Sequence, residues 1–292
     1  MFKLKNVSKV VHIIVVLIMV TWVVLPLYWL FVTSVTPQVH LAGTRTPTMV
    51  PKDFTVGAYT DLLFPGNGDA QGYRTMSPAD NFMRSMFNST VVAVISTVLG
   101  LIFGSLAAYS LARFRFKSKK IWRAIILGSR MIAPVALAIP LYVVFRIIGV
   151  LDTYIPLIIV YTSLNMAWST LIMLNYFNML PEELEDAARI DGCSYLQAFY
   201  KVVLPMAAPG LVAVTIITFL RSWGEFLFAL IFTHSISART MPVVVSMFVG
   251  EFAVQYRLIA AAIILGIGLP VIISLMFQRF IVAGLTAGSV KG

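Results

Sequence analysis

Charge is scarce in this chain, and acid is scarcer than base. Only 12% of its 292 residues are charged, with 12 Asp and Glu set against 22 Lys and Arg. A water-soluble domain of this length covers itself with about twice that share of charge, so that class is excluded. Cys193 is the single cysteine, which excludes a disulfide framework. The three histidines, His12, His40 and His234, stand far apart with no metal-ligand spacing. No glycine-rich loop ending in Gly-Lys-Ser or Gly-Lys-Thr occurs, so a nucleotide site of that type is missing. Nor is a Ser–His–Asp or Cys–His arrangement legible, and an enzyme reading has almost nothing to rest on.

What the chain has is apolar length. Hydrophobic residues make up 59% of it, and the mean hydropathy is +0.90. The class is therefore an all-α polytopic membrane protein. A net charge of +10 would suit nucleic acid, but the basic residues cluster beside apolar segments, which is the signature of membrane topology instead. Six segments are long enough to cross the bilayer, each needing about 20 helical residues: 11–35, 86–112, 124–148, 154–178, 207–232 and 258–280. The first is too long for a signal-peptide core and lacks a small-residue cleavage site, so it is expected to remain as a span.

Lysines and arginines set the expected orientation. Lys3, Lys5 and Lys9 precede the first span, and Arg113, Arg115, Lys117, Lys119, Lys120 and Arg123 crowd the connection between spans two and three. Both segments are expected in the cytosol, and with six spans so is the C-terminal tail. The organisation is then a cytosolic N-terminus and first span over 1–35, an extracytoplasmic segment over 36–85, a transmembrane domain over 86–280 and a cytosolic tail over 281–292. The 36–85 segment is punctuated by Pro47, Pro51, Pro65, Gly66, Gly68, Gly72 and Pro78, and the stretch 65–80 carries no assigned role. Asn88-Ser89-Thr90 matches a glycosylation sequon but sits at the mouth of a span and is taken as chance.

Polar groups within spans are candidates for function because they are costly there. Glu225 is the clearest, and it either serves the solute path or else lies close to a membrane edge or pairs with Arg221 one turn earlier. Arg130 and Arg146 bracket span three and are expected to snorkel or pair locally. Pro134 and Pro140 are expected to bend that span, as suits a helix lining a path. Asn165 and Trp168 in span four, with Trp223 in span five, suit a polyhydroxylated solute, although helix–helix packing is the preferred reading for the span-four pair.

The most informative stretch is a charged island at 180–206, between two apolar spans and cytosolic by the same topology. Pro181 suits the first helical position, and Glu182, Glu183, Glu185 and Asp186 load the first turns with negative charge. Leu184, Ala187, Ala188 and Asp191 share a stripe, while Glu185 and Arg189 are placed to pair one turn apart. Gly192 suits a left-handed helix end. Ser194 and Gln197 have the spacing of a capping box that opens a second helix, and Pro205 and Pro209 punctuate its exit. A helix, glycine turn and helix in water is either an ordinary amphipathic loop or a docking element.

The island resembles the EAA motif of ABC importer permeases, which is Glu-Ala-Ala, three residues, Gly, nine residues, then Ile-x-Leu-Pro. Asp186 stands at the Glu position, followed by Ala187, Ala188 and Gly192, and nine residues separate Gly192 from Val202-Val203-Leu204-Pro205. Phe87-Asn88-Ser89, the run from Ala107 to Phe114, the run from Gly149 to Tyr154 and the closing run from Gly284 to Gly292 resemble carbohydrate permeases similar to the maltose-system G permease. The resemblance covers about residues 80–292. Trp223-Gly224 departs from the Trp-Asn often found in the family.

The resemblance implies a type I importer permease fold in a bacterial inner membrane. It implies a second, homologous permease subunit, an ATPase dimer that binds ATP and Mg, an extracytoplasmic solute-binding protein and a sugar as cargo, with no cofactor on this chain. The residues it assigns to ATPase coupling are Glu185, Asp186, Ala187, Ala188, Asp191, Gly192, Leu204 and Pro205. Asn165, Trp168, Trp223 and Glu225 are the candidates for the solute path. Two readings compete with this one: an ion-coupled carrier or channel without an ATPase, and a membrane scaffold that recruits a cytosolic protein.

Overall fold

A computed structural model describes residues 2–41, 50–51, 53–64, 78–250 and 254–286. Most of the 65–80 stretch and the last six residues of the tail lie outside the described residues. The elements run α1 (Phe2–Val35), α2 (Gln38–Leu41), α3 (Gly57–Leu63), α4 (Phe82–Arg113), α5 (Lys119–Ser129), α6 (Pro134–Ile148), α7 (Tyr154–Met179), α8 (Glu183–Ile190), α9 (Tyr195–Ala198), α10 (Leu204–Met206), α11 (Ala208–Trp223), α12 (Leu227–Phe232), α13 (Met241–Ser246) and α14 (Tyr256–Thr286). A π-helical turn at Phe199–Val203 joins α9 to α10. Among the described residues, β pairing is confined to one bridge between Val249 and Val254.

Among the described residues, four helices are long and apolar enough to span by themselves: Val11–Val35, Ala79–Arg113, Tyr154–Met179 and Tyr256–Gln278. The other two expected spans are not straight rods. The region expected as span three is occupied by the pair α5 and α6, bent by 93°. Of the two prolines expected to bend it, Pro134 sits at the start of α6, where its missing N–H is harmless, while Pro140 lies inside α6 without breaking it. Span five, read as one helix over 207–232, stops at Trp223 and restarts at Leu227.

The chain forms two compact units, 1–83 with 244–267, and 84–243 with 268–292. In the first, the Ser34 and Tyr59 hydroxyls lie 2.7 Å apart, and Gln38 donates to the Val254 carbonyl at 2.7 Å. Arg257 and Asp61 form an ion pair at 2.8 Å, about a fifth exposed on each side. Much of α1 is exposed on every side, with Trp22 81% accessible, as fits a helix meant for lipid or another chain.

In the second unit α7 packs along α11. Small residues permit the close approach: a Cβ on Gly104 would lie 2.4 Å from Ser169 Cβ, and one on Gly100 would lie 2.7 Å from Asn165 Cβ. One apolar cluster gathers Tyr109, Met173, Phe177, Phe199, Val203 and Val214. A second gathers Val92, Phe145, Leu157, Tyr161, Phe228 and Phe232. Asn88 is fully buried, donating to the Ser237 and Arg239 carbonyls, so the sequon serves packing. Asp152 takes a left-handed conformation (φ 63°). Its carboxylate accepts from the His234 and Ser235 backbone N–H groups at 2.8 and 2.7 Å.

Candidate functional site

The island is a helical hairpin with a defined turn. Its first helix, α8, begins at Glu183, so Pro181 stands outside it and Glu182 is the N-terminal cap. Gly192, at φ +89°, ends it. The Gly192 N–H donates to the Arg189 carbonyl and the Cys193 N–H to the Ala188 carbonyl, the two bonds of a Schellman end. Ser194 and Gln197 then form a reciprocal capping box that starts α9. Pro205 has no N–H to give and would crowd a helical carbonyl four residues earlier. The chain answers by widening to a π turn over Phe199–Val203 just before it, and α11 then leaves the hairpin at an 80° bend.

Glu185 is not where an amphipathic surface helix would put it. It is 7% exposed and turned toward α4. The Arg113 guanidinium, 8% exposed, bonds its carboxylate at 2.5 Å, and the Tyr109 hydroxyl donates to the same group at 2.8 Å. Arg113 also donates to the Leu180 carbonyl at 3.1 Å. The expected Glu185–Arg189 pair does not form, because Glu185 is already engaged. Arg189 instead approaches Asp186 at 3.7 Å and lies over the Tyr195 ring. Aromatic edges close the joint: Tyr109 meets Phe114, Phe177 and Phe199.

The other coupling candidates face outward or support the exit. Asp186, Ala187, Asp191, Gly192 and Pro205 are exposed and Ala188 is half-buried, while Leu204 packs on the cluster around Phe177. Two exposed apolar side chains were not picked out from the sequence: Ile190, 86% accessible, and Leu196, 60% accessible. The anchors Arg113 and Tyr109 were missed as well. Their signal was present, since they lie four apart on the last turns of span two, on one helix face.

The solute-path candidates separate into two kinds. Asn165 is buried and donates to the Ser222 hydroxyl at 2.8 Å, and Ser96 reaches the same hydroxyl at 3.2 Å. That trio ties three spans together, so Asn165 acts as packing glue. Trp223 is 5% exposed and stacks on Phe219. Glu225 does not pair with Arg221. Its carboxylate accepts from the Tyr161 hydroxyl and from the Phe228 and Ala229 N–H groups, at 3.0 and 3.2 Å for the latter two. It caps α12 at the break in span five. Trp168 is half-buried and carries arginines, with Arg130 Cζ 3.2 Å and Arg221 Cζ 4.9 Å from its ring centroid. Among the described residues no His, Cys, Asp and Glu group is disposed to hold a metal.

A family model described as "Binding-protein-dependent transport system inner membrane component" matches residues 100–286. The sulfoquinovosyl glycerol transport system permease protein SmoH of Agrobacterium fabrum is 39% identical over 207 residues, covering 71% of this chain and 73% of its own. The trehalose transport system permease protein SugB of Mycobacterium tuberculosis is 35% identical over 278 residues, covering 94% and 95%. Among solved structures, a chain of a bacterial ABC transporter involved in import of the acidic polysaccharide alginate is similar in fold. Its TM-score is 0.75 at 22% identity, covering 94% of this chain and 96% of that one.

Proposed function

The chain belongs to the binding-protein-dependent transport system inner membrane component family, and we propose that it is the permease half of an ATP-driven sugar importer. A second, homologous permease completes the solute path, an extracytoplasmic protein delivers the sugar, and a pair of ATPase subunits on separate chains binds ATP and Mg. The names of similar proteins support a sugar as cargo, since they include permeases for trehalose, for diacetylchitobiose and for sulfoquinovosyl glycerol. The hairpin at 183–206 faces the cytosol with both chain termini, as the lysine and arginine bias suggests.

The observation that carries the reading is the hairpin's two-sided build. Its root is held by a buried ion pair, and its tip shows Ile190 and Leu196 to solvent. Apolar side chains that far exposed on a polar helix suit burial in a partner. ATP-driven closure of the ATPase dimer would move a seated hairpin, and the stiff root would pass the movement to α4 and α7. The ion-coupled alternative loses its main candidate, since Glu225 is occupied as a helix cap.

The test pairs Ile190→Asp with Leu196→Asp in the full complex. Burying either side chain contributes about 1.5–3 kcal/mol, so ATPase co-purification and ATP-driven uptake are expected to fall at least about tenfold. The permease itself should keep its thermal midpoint, because neither side chain is in its core. Undiminished ATPase binding by that double variant would overturn the reading.

A further inference from the structure

Two guanidinium groups converge on one indole where three broken or central helices meet. Arg130 is the C-terminal cap of α5, where span three bends, and Arg221 lies in the last turn of α11, before the break in span five. Trp168 lies in the middle of α7, between them. One arginine over a tryptophan is an ordinary contact. A second brings like-charge repulsion within a membrane-spanning region, where each ion is already costly. Helix C-termini offer each arginine partial negative charge, about half a unit per helix, which leaves about half of the positive charge unmatched. No carboxylate pairs with either arginine among the described residues. Glu225, close in sequence to Arg221, is engaged with Tyr161 and the start of α12. The Trp168 Nε1–H also has no hydrogen-bond partner. Forked donors with nothing to hold, one of them on an exposed residue, describe a site waiting for an anion.

We propose that Arg130, Trp168 and Arg221 form a site in the solute path for an acidic sugar, whose carboxylate or phosphate is held between the two guanidinium groups. The inference rests on the importer reading and narrows it to a solute that carries negative charge. In other transporter folds the positive N-terminal ends of broken helices meet anionic solute groups. The helix ends here are C-terminal, so the guanidinium groups and not the backbone supply the positive charge. An anion there cancels the repulsion between the arginines and is released when the bent spans move the two helix ends apart.

The test uses the assembled transporter in phosphatidylcholine vesicles. Two disaccharides are offered that differ only in a carboxylate or a hydroxymethyl group on one ring. The acidic sugar is expected to be preferred by about tenfold or more, the discrimination of one charge-assisted pair. Arg130→Gln with Arg221→Gln should abolish the preference, and Arg130→Lys with Arg221→Lys should keep most of it. Equal uptake of both sugars, or a preference untouched by the glutamine pair, overturns the proposal. Because the binding protein also selects, glucuronate is titrated onto the transporter without it, reading indole emission against a Trp168→Phe variant. Quenching by glucuronate and not by glucose supports the site. Quenching that appears only when the vesicles contain phosphatidylglycerol assigns the arginines to lipid phosphate and overturns it. A lack of ATP-driven uptake of either sugar counts against the importer reading, while the titration still decides the anion site.

Discussion

Removing one partner of the Arg113–Glu185 pair should loosen the hairpin, and removing both should not. Arg113 and Glu185 are 8% and 9% exposed in their side chains, so neither is solvated well once its partner is gone. Breaking a buried pair from one side costs about 3–5 kcal/mol. The lower end applies here, because Glu182, exposed and 3.9 Å from Arg113, can move in, and the Leu180 carbonyl still accepts. Glu185→Leu and Arg113→Met are each expected to cost about 3 kcal/mol, while an apolar replacement of both partners is often nearly neutral. The cycle should therefore show a coupling of at least about 2 kcal/mol, well above the few tenths found between independent sites. Hydrogen exchange of the α8 and π-turn amides in the assembled complex reads local opening, and the thermal midpoint reads global stability. Two single effects that simply add would refute the claim that the pair is one unit.

Three further outcomes follow from the structure. No atom lies within 4 Å of a Cβ built at Gly192, so Gly192→Val should cost only its left-handed backbone, about 1–3 kcal/mol. Gly192→Asn should be tolerated; equal loss of ATPase binding by both variants would show that the backbone angle is not the reason. Gly104→Ala should lower the thermal midpoint through overpacking of about 1–3 kcal/mol, because the new methyl meets Ser169 Cβ at 2.4 Å and the Met166 carbonyl at 3.0 Å. Gly128→Ala meets nothing and should be neutral, and similar effects at both glycines would refute the packing account. Burial raises the Asp152 carboxyl, but the Ser235 side chain and the Ser235 and His234 N–H groups outweigh it and hold its pKa below the usual value. With the folded value depressed, its stabilisation is complete above about pH 4 and is lost as pH falls through the folded value. Asp152→Asn should flatten that acid limb of the thermal midpoint, and a limb left intact would assign it to another group.

Elements with a strong local signal were legible without a structure. Apolar runs gave four of the six expected spans as single helices, and the glycine, serine and glutamine of the hairpin gave its turn and second start, because caps are encoded within a few residues. Long-range choices were not. Glu185 lies in a charged stretch, and only the arrival of Arg113 and Tyr109 from 70 or so residues earlier turns it inward (Tyr109–Glu185 are 76 apart). The break in span five was hidden because Gly224 and Glu225 sit inside an apolar run, and the cap at Glu225 depends on Tyr161 from another helix. In sequence Arg130 reads as a residue that snorkels or pairs locally and Arg221 as a partner for Glu225; only the fold brings both to the Trp168 ring.

A lever between two proteins needs a stiff root and a grippable tip, and under the proposed function α8 would divide those tasks by face. Glu185 points into the aromatic joint of Tyr109, Phe177 and Phe199, where motion is opposed by close packing as well as by charge. Ile190, five residues on and therefore on a different face, stands free. The consequence is that the two sets of substitutions should fail differently. Tip variants should stop the ATPase from binding while leaving the permease intact. Root variants should leave the tip able to bind yet weaken the link between ATP turnover and transport, so that hydrolysis continues with less sugar moved per ATP. If Glu185→Leu and Ile190→Asp lowered ATPase binding and transport per ATP in the same proportion, the hairpin would be a docking peg and not a lever.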